Sequence, residues 1–390
     1  MKLAFVIQRY GREILGGGES LCRELAENLA LNGEEVTVYT TTALDYLTWE
    51  NYYKPGTTIL RGVIIKRYKV KKKRELKSFN KFSDWLFFNP HNYEDEIRWL
   101  EEQGPVCPDL IKSLEKEQEN YDLIVFFTYL YYPTYYGLKK IKKKKILVPF
   151  AHNEPPLYLE IMKEVFSLPD NFIFSSEPER DLVLKNFNIT EKPSFVGGMG
   201  IKIPSIQKSV DFKKKWNLPF PYLLYAGRID KGKGCDEMID YFLKFKKNYP
   251  FLHLALIGKL NMELPKDYDI KYLGFLSEND KYELIANAEL TIHPSRLESF
   301  SISLLESLTC RTPALVTQNS PVLMNHILKS NAGLYYSNQE EFAEVIFLIL
   351  KNKKLRETLA ENGFKYIKEN YSWPKIIQNY MKAFKETIEI

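Results

Sequence analysis

Residues 3–40 read LAFVIQRYGREILGGGESLCRELAENLALNGEEVTVYT, and this stretch decides the fold. Leu3 to Gln8 is a short apolar run of strand character. Glu19 to Asn32 follows, with Leu21, Cys22, Leu25, Ala26, Leu29 and Ala30 recurring at helical spacing and Gly33 as a stop. Glu35 to Thr40 is apolar and β-branched again. Strand, loop, helix and strand in this order make one βαβ unit, the repeat from which parallel sheets are built.

The same grammar runs on through the first half. Strand-like segments lie at Val63 to Val70, Leu123 to Thr128, Ile146 to Phe150, Phe172 to Ser175 and Ser194 to Val196. Residues 79–120 break the rhythm; long, aromatic and charged, they read as an insertion with helical parts. After Gly200 the pattern restarts with Tyr222 to Ala226, Leu254 to Ile257, Ile270 to Leu273, Leu290 to His293, Ala314 to Thr317 and Gly333 to Tyr336. The polar, Lys-rich segment Ile201 to Asn217 reads as a linker. A helix-like run, Trp373 to Ile388, lies beyond the last strand. The expected architecture is therefore α/β, with two Rossmann-like, doubly wound domains, 1–200 and 201–372, and a terminal helix at 373–390. Open α/β sheets bind ligands at the carboxyl ends of their strands, so the expected site is a cleft between two facing domains.

Composition narrows the function. With 390 residues, 45% of them hydrophobic, the chain is long enough for two cores. No apolar run approaches the ~20 residues of a membrane-spanning helix. The opening run passes straight into Gln8-Arg9 with no small-residue cleavage site, and so reads as a strand and not a signal peptide. Cys22, Cys107, Cys235 and Cys310 are scattered, without a CxxC pair, which indicates neither zinc nor a disulfide framework and fits a reducing cytoplasm. The net charge of +5 hides two basic clumps, Lys66 to Lys77 and the six lysines within Lys139 to Lys145. Solvated surface is the ordinary reading of both; the first, interleaved with Tyr68 and followed by Phe79, Phe82 and Trp85, also suits an anionic membrane surface. No nucleic-acid module accompanies the charge.

Three motifs carry chemistry. Glu298-Ser299-Phe300-Ser301-Ile302-Ser303-Leu304-Leu305-Glu306 follows the strand ending at His293. Eight residues of continuous helix would part the two carboxylates by ~12 Å, so Glu298 is expected in a loop and Glu306 inside a helix. The amides from Ser299 to Ser303 then form a helix amino terminus suited to a diphosphate. Glu298 can hold sugar hydroxyls and Glu306 ribose hydroxyls. The second motif, Tyr225-Ala226-Gly227-Arg228-Ile229-Asp230-Lys231-Gly232-Lys233-Gly234, leaves a strand through a glycine and presents Arg228 as a planar fork and Lys233 as a point charge to a pyrophosphate. Lys231 reads as surface. The third, Gly16-Gly17-Gly18, lacks the GxGxxG spacing, and the run Gln8 to Leu15 before it is longer than a dinucleotide turn; it reads as a loop giving substrate close access to the backbone at Gly17 and Gly18.

His152 stands directly after a strand, in a Pro149-to-Pro156 segment, at a functional address. His293 reads as structural, and His91, His253 and His326 have nothing specific to distinguish them. Asp267-Tyr268-Asp269 matches a metal-chelating DxD pattern but reads as a solvated polar loop, because Arg228 and Lys233 can neutralise a leaving diphosphate without a metal.

Together these residues resemble family 4 of the retaining glycosyltransferases, with the GT-B fold, over essentially the whole chain. The match rests on Gly16-Gly17-Gly18-Glu19, His152, Gly227-Arg228 with Lys233, Glu298 with Glu306, and Asn331-Ala332-Gly333-Leu334. The resemblance implies a hexosyltransferase that uses a nucleotide-diphosphate sugar and a glycan or lipid-linked acceptor in cell-surface polysaccharide or glycoconjugate synthesis. It would need no cofactor or metal and would work in the cytoplasm or peripherally on the inner membrane face. Arg228 and Lys233 would bind the diphosphate, Glu306 the ribose, Glu298 the transferred sugar and His152 the sugar near the reaction centre. The terminal helix would cross back to the first domain. Ser299, Ser301 and Arg311 stand where the family usually has glycine, a departure that bears on donor choice. Two other readings are a nucleotide-sugar 2-epimerase of the same architecture and a sugar-binding homologue without activity.

Overall fold

A computed structural model of the protein describes residues 1–14, 16–206 and 212–389. The expected linker therefore lies partly outside the described residues, as does Leu15 before the glycines. The chain divides into two compact units, Met1–Met199 with Ile376–Ile390, and Gly200–Lys375.

The first unit contains β1 (Lys2–Val6), β2 (Glu35–Thr41), β3 (Gly56–Leu60), β4 (Val63–Tyr68), β5 (Leu123–Phe127), β6 (Lys145–Val148), β7 (Asn171–Phe174) and β8 (Ser194–Val196). They form one sheet in the order β3-β4-β2-β1-β5-β6-β7-β8, parallel except where β3 runs against β4. Strand β3 was not expected from sequence: four of its five residues are exposed, so it has no apolar alternation to read. Residues 79–120, read as an insertion, supply a layer of the core. They fall in the helices Leu76–Phe88, Tyr93–Gln103 and Pro108–Glu117. Phe79, Leu86, Trp99, Leu100, Leu110 and Leu114 pack in one cluster with Ala4, Val6, Ile124 and Phe126 of the sheet.

Most of the terminal helix Trp373–Glu389 belongs to this unit. The Tyr380 hydroxyl donates to the Gly198 carbonyl at 3.2 Å, Asn171 donates to Thr387 Oγ1 at 2.7 Å, and Phe384 meets the Phe5 ring edge-on at 6.4 Å.

The second unit contains β9 (Tyr222–Ala226), β10 (His253–Ile257), β11 (Ile270–Tyr272), β12 (Leu290–His293), β13 (Ala314–Thr317) and β14 (Gly333–Tyr336), all parallel in the order β11-β10-β9-β12-β13-β14. Burial on both faces explains the apolar runs of β9, β10, β12 and β13. In β9, Leu223 and Tyr225 enter one core cluster, whereas Tyr222, Leu224 and Ala226 enter the other. The strand order reverses between β9 and β12, which opens a crevice beyond their carboxyl ends.

Candidate functional site

In the second unit, the loops that leave β9 and β12 meet at this reversal. Gly234 lies in the left-handed region at φ 72°, and a Cβ there would stand 2.7 Å from the Pro294 carbonyl oxygen, so the two loops touch through a glycine. This contact brings Lys233 to Glu298: Nζ is 2.8 Å from Oε1, 3.3 Å from Ser295 Oγ and 3.4 Å from the Leu297 carbonyl. Asp230, unremarked in the sequence reading, organises the cationic side. Its carboxylate accepts the Lys233 backbone amide at 2.9 Å and pairs with Arg228 Nε. Tyr225, buried beneath, donates to the Arg228 carbonyl at 2.8 Å. The Arg228 side chain is 43% exposed and Lys233 28%, enough to meet a ligand.

Glu298 lies in the loop and Glu306 in the helix Ile302–Thr309, in the layout the spacing demanded. Ser301 is the N-cap at φ 63°, in the left-handed region, and its side chain makes no capping hydrogen bond. The amino end thus keeps backbone donors for an anion. Ser301 and Arg311, at φ 58°, both adopt the conformation that glycine favours, whereas Ser299 does not. The usual family glycines at 301 and 311 are accounted for by backbone shape.

Glu306 does not join the Lys233 cluster. Its Oε1 accepts from Lys281 Nζ at 2.6 Å and from the Tyr282 hydroxyl at 3.3 Å. Lys281 was missed because it sits in another helix, Glu278–Asn287, with no motif around it.

Asp267-Tyr268-Asp269 lies in a loop with Tyr268 exposed, as read, but its carboxylates are paired. Asp267 is 2.6 Å from Lys246 Nζ, Asp269 pairs with the same ammonium, and Asp269 Oδ1 is 3.1 Å from His253 Nε2, so the two form an ion cluster within that loop. It precedes β11, at the amino-terminal edge of the sheet, and a strand of five residues spans ~16 Å. The opposite edge carries Arg228, Lys233 and Glu298.

In the first unit, the glycine loop serves the protein's own side chains. A Cβ on Gly16 would stand 2.0 Å from a Glu19 carboxylate oxygen, and one on Gly18 would stand 2.8 Å from the Phe150 ring. Glu19 in turn pairs with Arg9 and accepts Gln8 Nε2 at 3.0 Å. Gly17 is the first residue of the helix Gly17–Leu31. His152 lies beyond the carboxyl end of β6. Its Nδ1 is 3.7 Å from Glu154 Oε1, which accepts the Tyr129 hydroxyl at 2.9 Å.

Behind His152 lies Glu179, which no sequence signal marked. Fully buried, it accepts the Ala151 amide at 2.7 Å and the Ser175 amide at 2.6 Å. Burial raises its pKa to about 7 against the lowering pull of those amides and of His152. His293 is structural as read: burial lowers its pKa to about 3, and Nε2 meets Thr291 Oγ1 at 3.0 Å.

The first basic clump is partly turned inward. Arg67 bonds Thr58 and the Tyr10 carbonyl, Arg74 bonds the Gln103 carbonyl, and Lys66, Lys71 and Lys73 pair with Glu117, Asp109 and Glu50. The lysines before β6 stand at the amino-terminal edge of their sheet, away from the strand ends. No helix among the described residues is long and apolar enough to cross a membrane.

Residues 207–366 match the family described as Glycosyl transferases group 1, and these residues contain the Arg228–Lys233–Glu298–Glu306 constellation. The chain is a glycosyltransferase. Over its whole length this glycosyltransferase is similar to an uncharacterized glycosyltransferase of Methanocaldococcus jannaschii, 23% identical over 421 residues that span 100% of this chain and 99% of the relative. A second relative, 26% identical over 249 residues (59% of this chain, 64% of the relative), is the N,N'-diacetylbacillosaminyl-diphospho-undecaprenol alpha-1,3-N-acetylgalactosaminyltransferase of Campylobacter jejuni. Among solved structures, Anabaena HepE in complex with UDP and glucose superposes with a TM-score of 0.72 at 14% identity, covering 99% of this chain and 100% of that one. The glycosyltransferase thus has the GT-B fold, with its two units as the two Rossmann-like halves.

Proposed function

We propose that this glycosyltransferase is a retaining enzyme of the family 4 type, moving a hexose from a nucleoside-diphosphate sugar to a glycan or lipid-linked acceptor without a divalent ion. One observation carries the reading: Lys233 and Glu298 meet at the strand-order reversal, beside Arg228 and the uncapped helix end at Ser301. Cations and amides face the leaving diphosphate, and a carboxylate faces the sugar. As the bond from the anomeric carbon to the β-phosphate oxygen breaks, the acceptor oxygen bonds to the same carbon. Its proton passes to a phosphate oxygen on the same face, and the negative charge left on the nucleotide is met by Arg228, Lys233 and the amides of Ser301 to Ser303. Glu306 Oε2 faces the ribose hydroxyls, while Oε1 is taken by Lys281. His152 contacts the reacting sugar.

Metal independence is supported by the engagement of Asp267 and Asp269 with Lys246. UDP as the nucleotide is supported by the HepE complex, and a lipid-linked acceptor by the name of the Campylobacter relative. Reversible association with an anionic membrane is supported by Lys77, Lys81, Trp85 and Phe88, exposed on the helix Leu76–Phe88 at spacings that share a face; sedimentation with anionic vesicles at low and moderate salt tests it.

The decisive experiment is a thermal-shift screen of UDP, GDP and ADP and their sugars in EDTA, followed by nuclear magnetic resonance of the product's anomeric configuration. A bound nucleotide at 100 times its Kd stabilises by about 2.7 kcal/mol. Inversion at the anomeric carbon refutes the retaining reading. An acceptor-free 2-epimerised product favours the epimerase, and nucleotide-sugar binding without turnover favours the inactive homologue.

A further inference from the structure

His326 had nothing in its sequence context to distinguish it. In the fold it comes from the helix Pro321–Ser330, is 1% exposed, and meets the donor motif from behind. Its Nε2 lies 2.9 Å from the Phe300 carbonyl and its Nδ1 3.0 Å from the Tyr366 hydroxyl. A carbonyl only accepts, so Nε2 carries a proton and donates it to Phe300. The Tyr366 hydroxyl is in turn 3.1 Å from that of Tyr371. The Phe300 ring stands edge-on to His326 at 5.6 Å and to Tyr371 at 5.5 Å.

The next residue is Ser301, in the left-handed region at φ 63°, where a side chain is strained. Such a conformation persists only where the surroundings over-determine it. Its own hydroxyl does not cap the helix. The His326 hydrogen bond holds the peptide before it.

We propose that His326 is the positioning residue for the donor-binding turn: by holding the Phe300 carbonyl it fixes Ser301 in its left-handed state and aims the amides of Ser301 to Ser303 at the nucleoside diphosphate. This rests on the donor reading given above. His326 touches no substrate; it acts through the turn.

The test compares His326→Met, which fills the space without a donor, with His326→Gln, which restores an N–H near the place of Nε2. Both are made in the wild-type and Ser301→Gly backgrounds. Amide hydrogen exchange at 300–305 is measured without ligand, and affinities for UDP, GDP and ADP are measured by calorimetry. In His326→Met, exchange at this turn rises and affinity for the preferred nucleotide falls about tenfold, the loss expected for one hydrogen bond. Gln recovers most of both. In the Ser301→Gly background the Met effect shrinks, because glycine holds the turn without help. Unchanged exchange, or equal losses in Met and Gln that track the melting temperature, overturns the inference. Raised exchange in a protein whose wild type binds none of the three nucleotides supports the positioning of the turn and instead overturns the donor reading.

Discussion

Lys233 Nζ lies 2.8 Å from Glu298 Oε1, a pairing of residues from loops that follow two adjacent strands, β9 and β12. In the proposed mechanism the first is the cation for the diphosphate and the second the carboxylate for the sugar.

Arg228 and Lys233 should matter more to the transition state than to the bound donor, since negative charge grows on the leaving phosphate as the bond breaks. Alanine at either position lowers kcat by at least ~10²-fold, with a smaller rise in donor KM. The losses do not add in the double variant, because both act on one group and Asp230 ties them. Arg228→Lys does not restore the fork. Steady-state kinetics with donor and acceptor varied separately reads all four.

Glu306→Gln weakens the nucleoside diphosphate and the intact donor alike, by roughly 1.5–3 kcal/mol, the range of a hydrogen bond to a charged group. Lys281→Met acts in the same direction, because Glu306 then loses the ammonium that orients Oε1. Calorimetry on folded variants checks both; unchanged affinity removes the ribose role.

Activity persists in excess EDTA. Asp269→Asn leaves turnover near normal while lowering the melting temperature, since it breaks a cluster with Lys246 and His253 at the far edge of the sheet. Complete loss of activity in EDTA, restored by Mn²⁺ and abolished by Asp269→Asn, is the opposite result.

His152→Ala cuts turnover and leaves the melting temperature and nucleotide affinity nearly intact, because the ring is 28% exposed and meets the Glu154 carboxylate only at 3.7 Å. A fall in stability with normal turnover per folded molecule makes it structural.

Glu179 predicts a pH dependence of stability. Its folded pKa of about 7 lies above its unfolded value of about 4.3, so its contribution is fully present below about pH 4 and is lost as pH rises through 7. The loss is on the order of 3 kcal/mol. Glu179→Gln flattens the stability profile across that window, as read by denaturant titration at several pH values.

Much of this was legible in the sequence. Strands buried on both faces are continuous apolar runs, and thirteen of the fourteen strands among the described residues fall on the segments read as such. The exception, β3, is an exposed edge strand, whose pairing with β4 leaves no apolar trace. Glu298 in a loop and Glu306 in a helix followed from helical rise alone. The contacts of Asp230, Lys281, Glu179 and His326 were not legible. Each bonds a backbone group or a carboxylate that lies elsewhere in the chain or in another motif, and a single Asp, Lys, Glu or His between motifs has no pattern of its own.

Sequence by itself determined the periodicities, and with them the two α/β halves, the glycine exit at Gly227 and the charged residues available beyond each strand. These are local quantities, set by which faces of a segment must leave water. Only the tertiary structure decided that β12 lies beside β9, so that Glu298 reaches Lys233, while Asp267 and Asp269 end at the opposite edge on Lys246. Strand order depends on which helices cover which face of the sheet. That packing joins residues dozens of positions apart, and no local pattern records it.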